Sequence, residues 1–189
     1  MEFRTASPEE LKAAYTRDLK QSFPPDELKP LWSITSMCRR GLYAPLCLLD
    51  GGEIVGECFL WMSEPGDKPG YALLDYLCVT PEKRSQGLGG VLIARMLERY
   101  PDTVIFAESE TPAFAPDPEL AARRMNFYTR NGARQANYQT DIFGVHYSTV
   151  YWSDVPVPDA ELIAAHRAVY ATSLPADKFE RYVRIPCIT

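Results

Sequence analysis

The chain holds little of what metal centres and disulfide scaffolds are built from. It has two histidines, His146 and His166, and five scattered cysteines, Cys38, Cys47, Cys58, Cys78 and Cys187, none in a C-x-x-C pair. That pattern excludes a disulfide framework and a metal-ligand cluster. Cys78 has no histidine near it in sequence to activate it, so it reads as a small buried residue rather than a nucleophile. There is no excess of positive charge either. The formal net charge is −5, which excludes the basic footprint of a nucleic-acid binder and is compatible with attracting a cationic amine. No apolar run approaches the roughly 18 to 20 residues of a spanning helix. Met1-Glu2-Phe3-Arg4-Thr5 is polar and reads as leading straight into a helix, unlike a signal peptide. The expectation is a cytoplasmic protein with reduced thiols, no membrane contact and no nucleic-acid partner.

What is present suits one well-buried core. The 189 residues, 46% of them hydrophobic, are too few for two comfortable domains. Ser7-Pro8-Glu9-Glu10 is a capping box, and Leu11, Tyr15, Leu19 and Phe23 recur at i+4 behind it, predicting a helix to about Gln21. A second helix, starting near Asp26 or Pro30, carries Leu31, Ile34 and Cys38 and closes at Gly41. Leu42 to Leu49 and Ile54 to Met62 pair as a hairpin across Asp50-Gly51-Gly52. A loop from Ser63 to Gly70 leads to a strand over Tyr71 to Thr80, and a helix follows from Leu88 to Tyr100. A buried strand (Thr103 to Ala107), a helix capped at Asp117 and ending at Asn131-Gly132, and a hairpin around Phe143-Gly144 complete the order. The segment beyond Val155-Pro156-Val157-Pro158 reads as a helical appendage, residues 153–189, packed on a main unit of residues 1–152.

Between strand and helix lies Arg84-Ser85-Gln86-Gly87-Leu88-Gly89-Gly90. A Gly-rich turn opening a helix is an anion site, because the first N–H groups of the helix have no internal acceptor and carry the positive end of its dipole. The run lacks the Gly-Lys-Ser/Thr of a Walker loop, and Leu92 stands where the dinucleotide fingerprint needs its third glycine. What remains, R-x-x-G-x-G after a strand that bears an acid, resembles the acetyl-CoA pyrophosphate loop of the GNAT N-acetyltransferase superfamily. The predicted element order over about residues 1 to 152 is similar to that family's. The resemblance implies an α/β (α+β) fold with a mixed, mostly antiparallel sheet, a splayed parallel pair at the acetyl-CoA site, and flanking helices.

A second motif, Arg124-Met125-Asn126-Phe127-Tyr128-Thr129-Arg130-Asn131-Gly132-Ala133, resembles the family's helix end. It departs from the family at Ala133, where an aromatic residue is usual. By resemblance, Tyr128 is the general acid facing the thioester sulfur. The backbone of Leu77, Cys78 and Val79 would bind the pantetheine and polarise the thioester carbonyl. Arg84, Ser85, Gln86, Gly87, Leu88, Gly89 and Gly90 would hold the pyrophosphate, with Asn126 and Phe127 beside the donor. The implied activity is N-acetylation of a primary amine (a small molecule, a peptide N-terminus or a lysine) with acetyl-CoA as co-substrate. A non-catalytic acyl-CoA-binding module and a transferase using a longer acyl-CoA are the alternatives. Such an amine is mostly protonated near neutral pH, so a base must take its proton. Asp75 and Glu108 compete for that role, and strand alternation puts Asp75 on the face of Leu77 and Val79, and Glu108 on that of Phe106. Trp32, Tyr43, Trp61, Phe143, Tyr147 and Trp152 are candidate walls of the acceptor site. The acceptor itself is not legible, and the chain is expected to act as a monomer or homodimer.

Overall fold

A computed structural model describes residues 1–25, 27–66 and 70–186 of the chain. Asp26, a candidate helix start, part of the 63–70 loop, and Cys187 lie outside the described residues. The helical entry is as the capping box predicts. Helix α1 (Pro8–Ala14) has Ser7 Oγ accepting from the Glu10 N–H, while the Glu10 carboxylate accepts from the Ser7 N–H at 2.7 Å. Arg4 grips the same carboxylate through two guanidinium nitrogens and holds it at about 2, well below the usual range. The helix then widens into a π-helical turn (Tyr15–Leu19) before a last α turn, α2 (Lys20–Ser22). Asp18 and Leu19 are both buried. Such wide turns recur at functional sites.

Helix α3 (Leu31–Arg39), strand β2 (Tyr43–Asp50) and strand β3 (Glu53–Met62) follow. The chain continues through β4 (Tyr71–Val79), α4 (Leu88–Arg99), β5 (Val104–Glu110), α5 (Pro118–Arg130), β6 (Arg134–Ile142) and β7 (Val145–Trp152). Two differences from the sequence reading stand at the termini. Glu2–Thr5 is a strand, β1, because its backbone finds a free edge on β2. The tail beyond Trp152 forms α6 (Asp159–Ala171), α7 (Ala176–Tyr182) and a two-residue strand, β8 (Val183–Arg184), which pairs with β6. Neither short strand has a period of its own to read. Both are set by the edge that receives them.

Among the described residues eight strands form one sheet in the order β1-β2-β3-β4-β5-β7-β6-β8, antiparallel at every pairing except β4 with β5. Its central strands are buried on both faces, which is why β3 reads as a nearly continuous apolar run. On one face Leu46, Leu60, Leu74 and Ile105 meet Leu92, Ile93 and Met96 of α4, with Tyr128 of α5. On the other, Phe59, Trp61, Leu73 and Phe106 meet Leu11, Ile34, Met37, Leu162 and Val169 from α1, α3 and α6. The sheet thus separates two compartments, and whatever joins them must pass between strands. No helix among the described residues is long and apolar enough to cross a membrane.

Candidate active site

The passage is the parallel pair. β4 and β5 are in register at Tyr71↔Val104, Ala72↔Ile105 and Leu73↔Phe106, and among the described residues no pairing between them continues beyond that point. β4 stays with β3 as far as Val79, and β5 stays with β7 as far as Glu110. A wedge therefore opens between Leu74–Val79 and Ala107–Glu110, with backbone edges that no ladder uses. Leu77, Cys78 and Val79 line its β4 side. The opening begins at a bulge. Phe59 pairs with Tyr76 and Leu60 with Leu74, so Asp75 has no partner on β3. Bulges re-aim side chains in this way. Here Asp75 joins Tyr76 on the face of Tyr43 and Phe59, while Leu77 packs on the opposite face. Simple alternation, which placed Asp75 with Leu77 and Val79, fails at this extra residue.

At the mouth of the wedge is the glycine loop. A 3-10 turn (Pro81–Lys83) is followed by left-handed backbone at Ser85 (φ 63°) and Gly87 (φ 78°), the N-cap of α4. Among the described residues, the N–H groups of Ser85, Gln86, Gly87, Leu88 and Gly89 meet no backbone acceptor. Five successive donors at a helix head form a nest for an anion. Arg84 braces the loop. Its Nε donates to Val79 O at 3.2 Å and its Nη2 to Ser22 Oγ at 2.9 Å, tying the loop to β4 and α2. Gly89 lies against α5, where an added Cβ would stand 3.0 Å from Phe127 Cζ. The absent side chain thus lets α4 and α5 approach.

Tyr128 follows Phe127 on α5 and packs in the same compartment as α4. It is buried, edge-on to Trp152 with ring centres 5.7 Å apart. Burial pushes the phenol above its ordinary value of 10.0 and the Arg124 charge lowers it slightly, so it carries its proton at neutral pH. Among the described residues its hydroxyl makes no hydrogen bond. The Trp152 indole donates to Asn131 O at 2.8 Å, fixing that ring beside the end of α5.

On the opposite compartment the two candidate bases are both held by neighbours. Asp75 accepts from the Tyr43 hydroxyl and pairs with Lys29 Nζ at 2.6 Å. Glu108 Oε1 is 2.9 Å from His166 Nε2, and its Oε2 accepts from the Tyr170 hydroxyl at 2.8 Å. His166 Nδ1 in turn meets the Tyr138 hydroxyl at 3.2 Å. Burial, then Glu108, then Asp75 raise the Tyr170 phenol well above 10.0, so both carboxylates bear on this one ring. Of the six aromatic candidates, Tyr43, Trp61 and Tyr147 belong to this compartment. Trp152 lies on the other face, and Trp32 and Phe143 are exposed, Phe143 stacking on Tyr182.

Sequence reasoning missed two groups. His166 and Tyr170 come from the tail helix, and their i, i+4 spacing on its apolar face was the available signal. The other is a buried acid pair. Asp18 and Glu57 are fully buried, and Cys78 Sγ donates to Glu57 Oε2 at 2.9 Å. Burial first, then the Asp18 carboxylate, pushes the Glu57 carboxyl up to about 9, against a smaller lowering by Cys78. Arg17, whose Nε lies 2.9 Å from Asp18 Oδ1, keeps Asp18 ionised despite its burial. The pair therefore holds one proton, on Glu57. Its signal was an acid inside the apolar run of β3. A shallow depression of about 400 Å³ lined by Arg167, Phe179, Arg184 and Pro186, among others, lies on the tail, apart from this machinery.

The sequence profile of the acetyltransferase (GNAT) family matches residues 9–132. Solved structures share the architecture. An acetyltransferase assigned to the GNAT family from Bacteroides thetaiotaomicron superposes with a TM-score of 0.70 at 22% identity, over 92% of this chain and 98% of that one. An aminoglycoside 6'-N-acetyltransferase complexed with coenzyme A gives 0.61 at 14% identity, over 84% and 99%. The ribosomal-protein-S18-alanine N-acetyltransferase of Escherichia coli gives 0.59 at 15%, over 82% and 99%. No curated protein sequence matches the chain.

Proposed function

The chain belongs to the GNAT acetyltransferase family, and from that premise we propose that it transfers an acetyl group from acetyl-CoA to a primary amine by direct attack in a ternary complex. The observation that carries this reading is the run of five unpaired N–H groups, Ser85 to Gly89, at the head of the helix that follows the diverging strand. A pyrophosphate seated there would direct its pantetheine arm into the wedge, past Leu77, Cys78 and Val79. Backbone donors on that edge would polarise the thioester carbonyl where the oxyanion develops.

The amine must be neutral to attack. In this reading Asp75 or Glu108, both on the acceptor side, takes its proton directly or through water. A C–N bond forms at the carbonyl carbon, the C–S bond breaks, and the departing thiolate takes a proton from Tyr128. The unpartnered Tyr128 hydroxyl and its raised affinity for the proton suit that role. Holding both substrates at the wedge supplies much of the acceleration. The chain beyond Trp152 acts as an appendage of the same unit, because α6 brings His166 and Tyr170 to Glu108.

Release of free thiol from acetyl-CoA, measured across a panel of small amines, peptide N-termini and lysine peptides, tests the proposal. Amine-dependent release is the expected outcome. Tight acetyl-CoA binding with no release for any amine would instead indicate a CoA-binding module without catalysis.

A further inference from the structure

Lys29 lies between α2 and α3, and its side chain reaches to the start of the wedge. Its ammonium is 2.6 Å from Asp75 Oδ1 and 4.4 Å from the centre of the Trp61 ring. The Tyr43 hydroxyl holds the other Asp75 oxygen. The Asp75 side chain is only 8% exposed and Trp61 is buried, whereas the Lys29 side chain keeps 23% of its surface in solvent. A carboxylate, an aromatic face and apolar walls are what a primary alkylammonium requires. The backbone of Lys29 is anchored separately. Its N–H donates to Tyr76 Oη at 2.8 Å, and its carbonyl accepts from Tyr15 Oη at 3.0 Å. The side chain can therefore leave while the segment stays in place.

We infer that Asp75, Trp61 and Tyr43 form the seat for the acceptor's ammonium, that Lys29 is its tethered resident, and that the acceptor is a primary amine on an unbranched alkyl stem, which displaces Lys29. This rests on the transferase reading above. A tethered occupant competes at an effective concentration in the millimolar range, and the apparent KM rises by the inverse of the fraction of molecules whose seat is empty. A seat filled in about nine molecules of ten raises it about tenfold.

Steady-state kinetics of Lys29→Met with an n-alkylamine series and with blocked lysine provide the test. Methionine keeps an unbranched stem over Trp61 and removes the charge. The amine KM is expected to fall about tenfold, with kcat and the acetyl-CoA KM little changed. An unchanged or higher amine KM in the folded variant overturns the inference. A second measurement uses the wild-type protein and needs no turnover. The 15N NMR signal of the Lys29 ammonium, assigned by its loss in Lys29→Met, should move toward the position of solvent-exposed lysines as n-butylamine is titrated in. An unchanged signal overturns the seat. Absence of thiol release with every amine would contradict the transferase reading instead, leaving the NMR titration to decide the seat.

Discussion

Replacing Glu57 by glutamine should stabilise the protein, although it removes a buried hydrogen-bonded acid. In the folded chain burial and the Asp18 carboxylate hold the Glu57 proton well above the 4.5 at which an ordinary glutamate loses it. Above that value the native state therefore binds more protons than the unfolded state, so stability falls as pH rises. The slope is about 1.4 kcal/mol per pH unit for one group, so even part of that interval is worth about 1 to 3 kcal/mol at neutrality. Glutamine is neutral at every pH. Its N–H can donate toward Asp18, whose carboxylate helps to hold the Glu57 proton, and its oxygen can accept from the Cys78 thiol. Glu57→Gln should therefore gain about 1 to 3 kcal/mol near neutral pH, less any loss in hydrogen-bond geometry. Asp18, lowered, contributes its pH dependence in acid, below the ordinary carboxylate range. Cys78, raised by burial first, contributes only above its ordinary 9.0. Urea titrations from mildly acidic to mildly alkaline pH should show the wild-type midpoint declining and the mutant's declining much less. A mutant less stable than wild type at neutral pH, with the same slope, would refute the shared-proton account.

Other consequences concern the donor side and the tail. Tyr128→Phe should lower kcat about 100-fold, with acetyl-CoA affinity within a few-fold of wild type, because the proton donor is lost and the pocket is not. Stopped-assay turnover and calorimetry check the two halves separately, and equal turnover removes Tyr128 from the mechanism. Gly89→Glu should weaken acetyl-CoA binding about 100-fold, by adding a negative charge in the first turn of α4 and by pressing on Phe127 beside the loop. Calorimetry of Gly89→Ala, whose methyl meets only Phe127, is the steric control and should lose less than about tenfold. His166→Leu leaves the Tyr138 hydroxyl unpaired and removes one of Glu108's two partners. It should cost about 2 to 4 kcal/mol in a denaturation assay, and a loss below about 0.5 kcal/mol contradicts the network.

The sequence made the core elements legible because they carry their own periodicities and caps. Ser7 and Glu10, the α4 face from Leu88 to Met96, and the turn at Phe143-Gly144 are local signals, and the structure follows them. The glycine loop was legible for the same reason, since a glycine at a helix head has few other uses. What escaped was set by distant partners. The bulge at Asp75 depends on register with β3, so alternation along β4 alone assigns its face wrongly. Arg84 reaches Ser22, 62 residues away in sequence, a partner that the loop motif does not announce. Glu57, Asp18 and Cys78 come from three separate segments, and nothing within any one of them announces the shared proton. Glu108 was visible as a strand-end acid, but its partners His166 and Tyr170 come from a tail that no core motif explains.

The most direct test of the central claim is a crystal structure of the protein with acetyl-CoA. The account predicts the pyrophosphate on the N–H groups of Ser85 to Gly89, the pantetheine between β4 and β5 beyond Leu73 and Phe106, and the thioester sulfur within hydrogen-bond reach of Tyr128 Oη. A pyrophosphate bound elsewhere, or a sulfur out of reach of Tyr128, would contradict it.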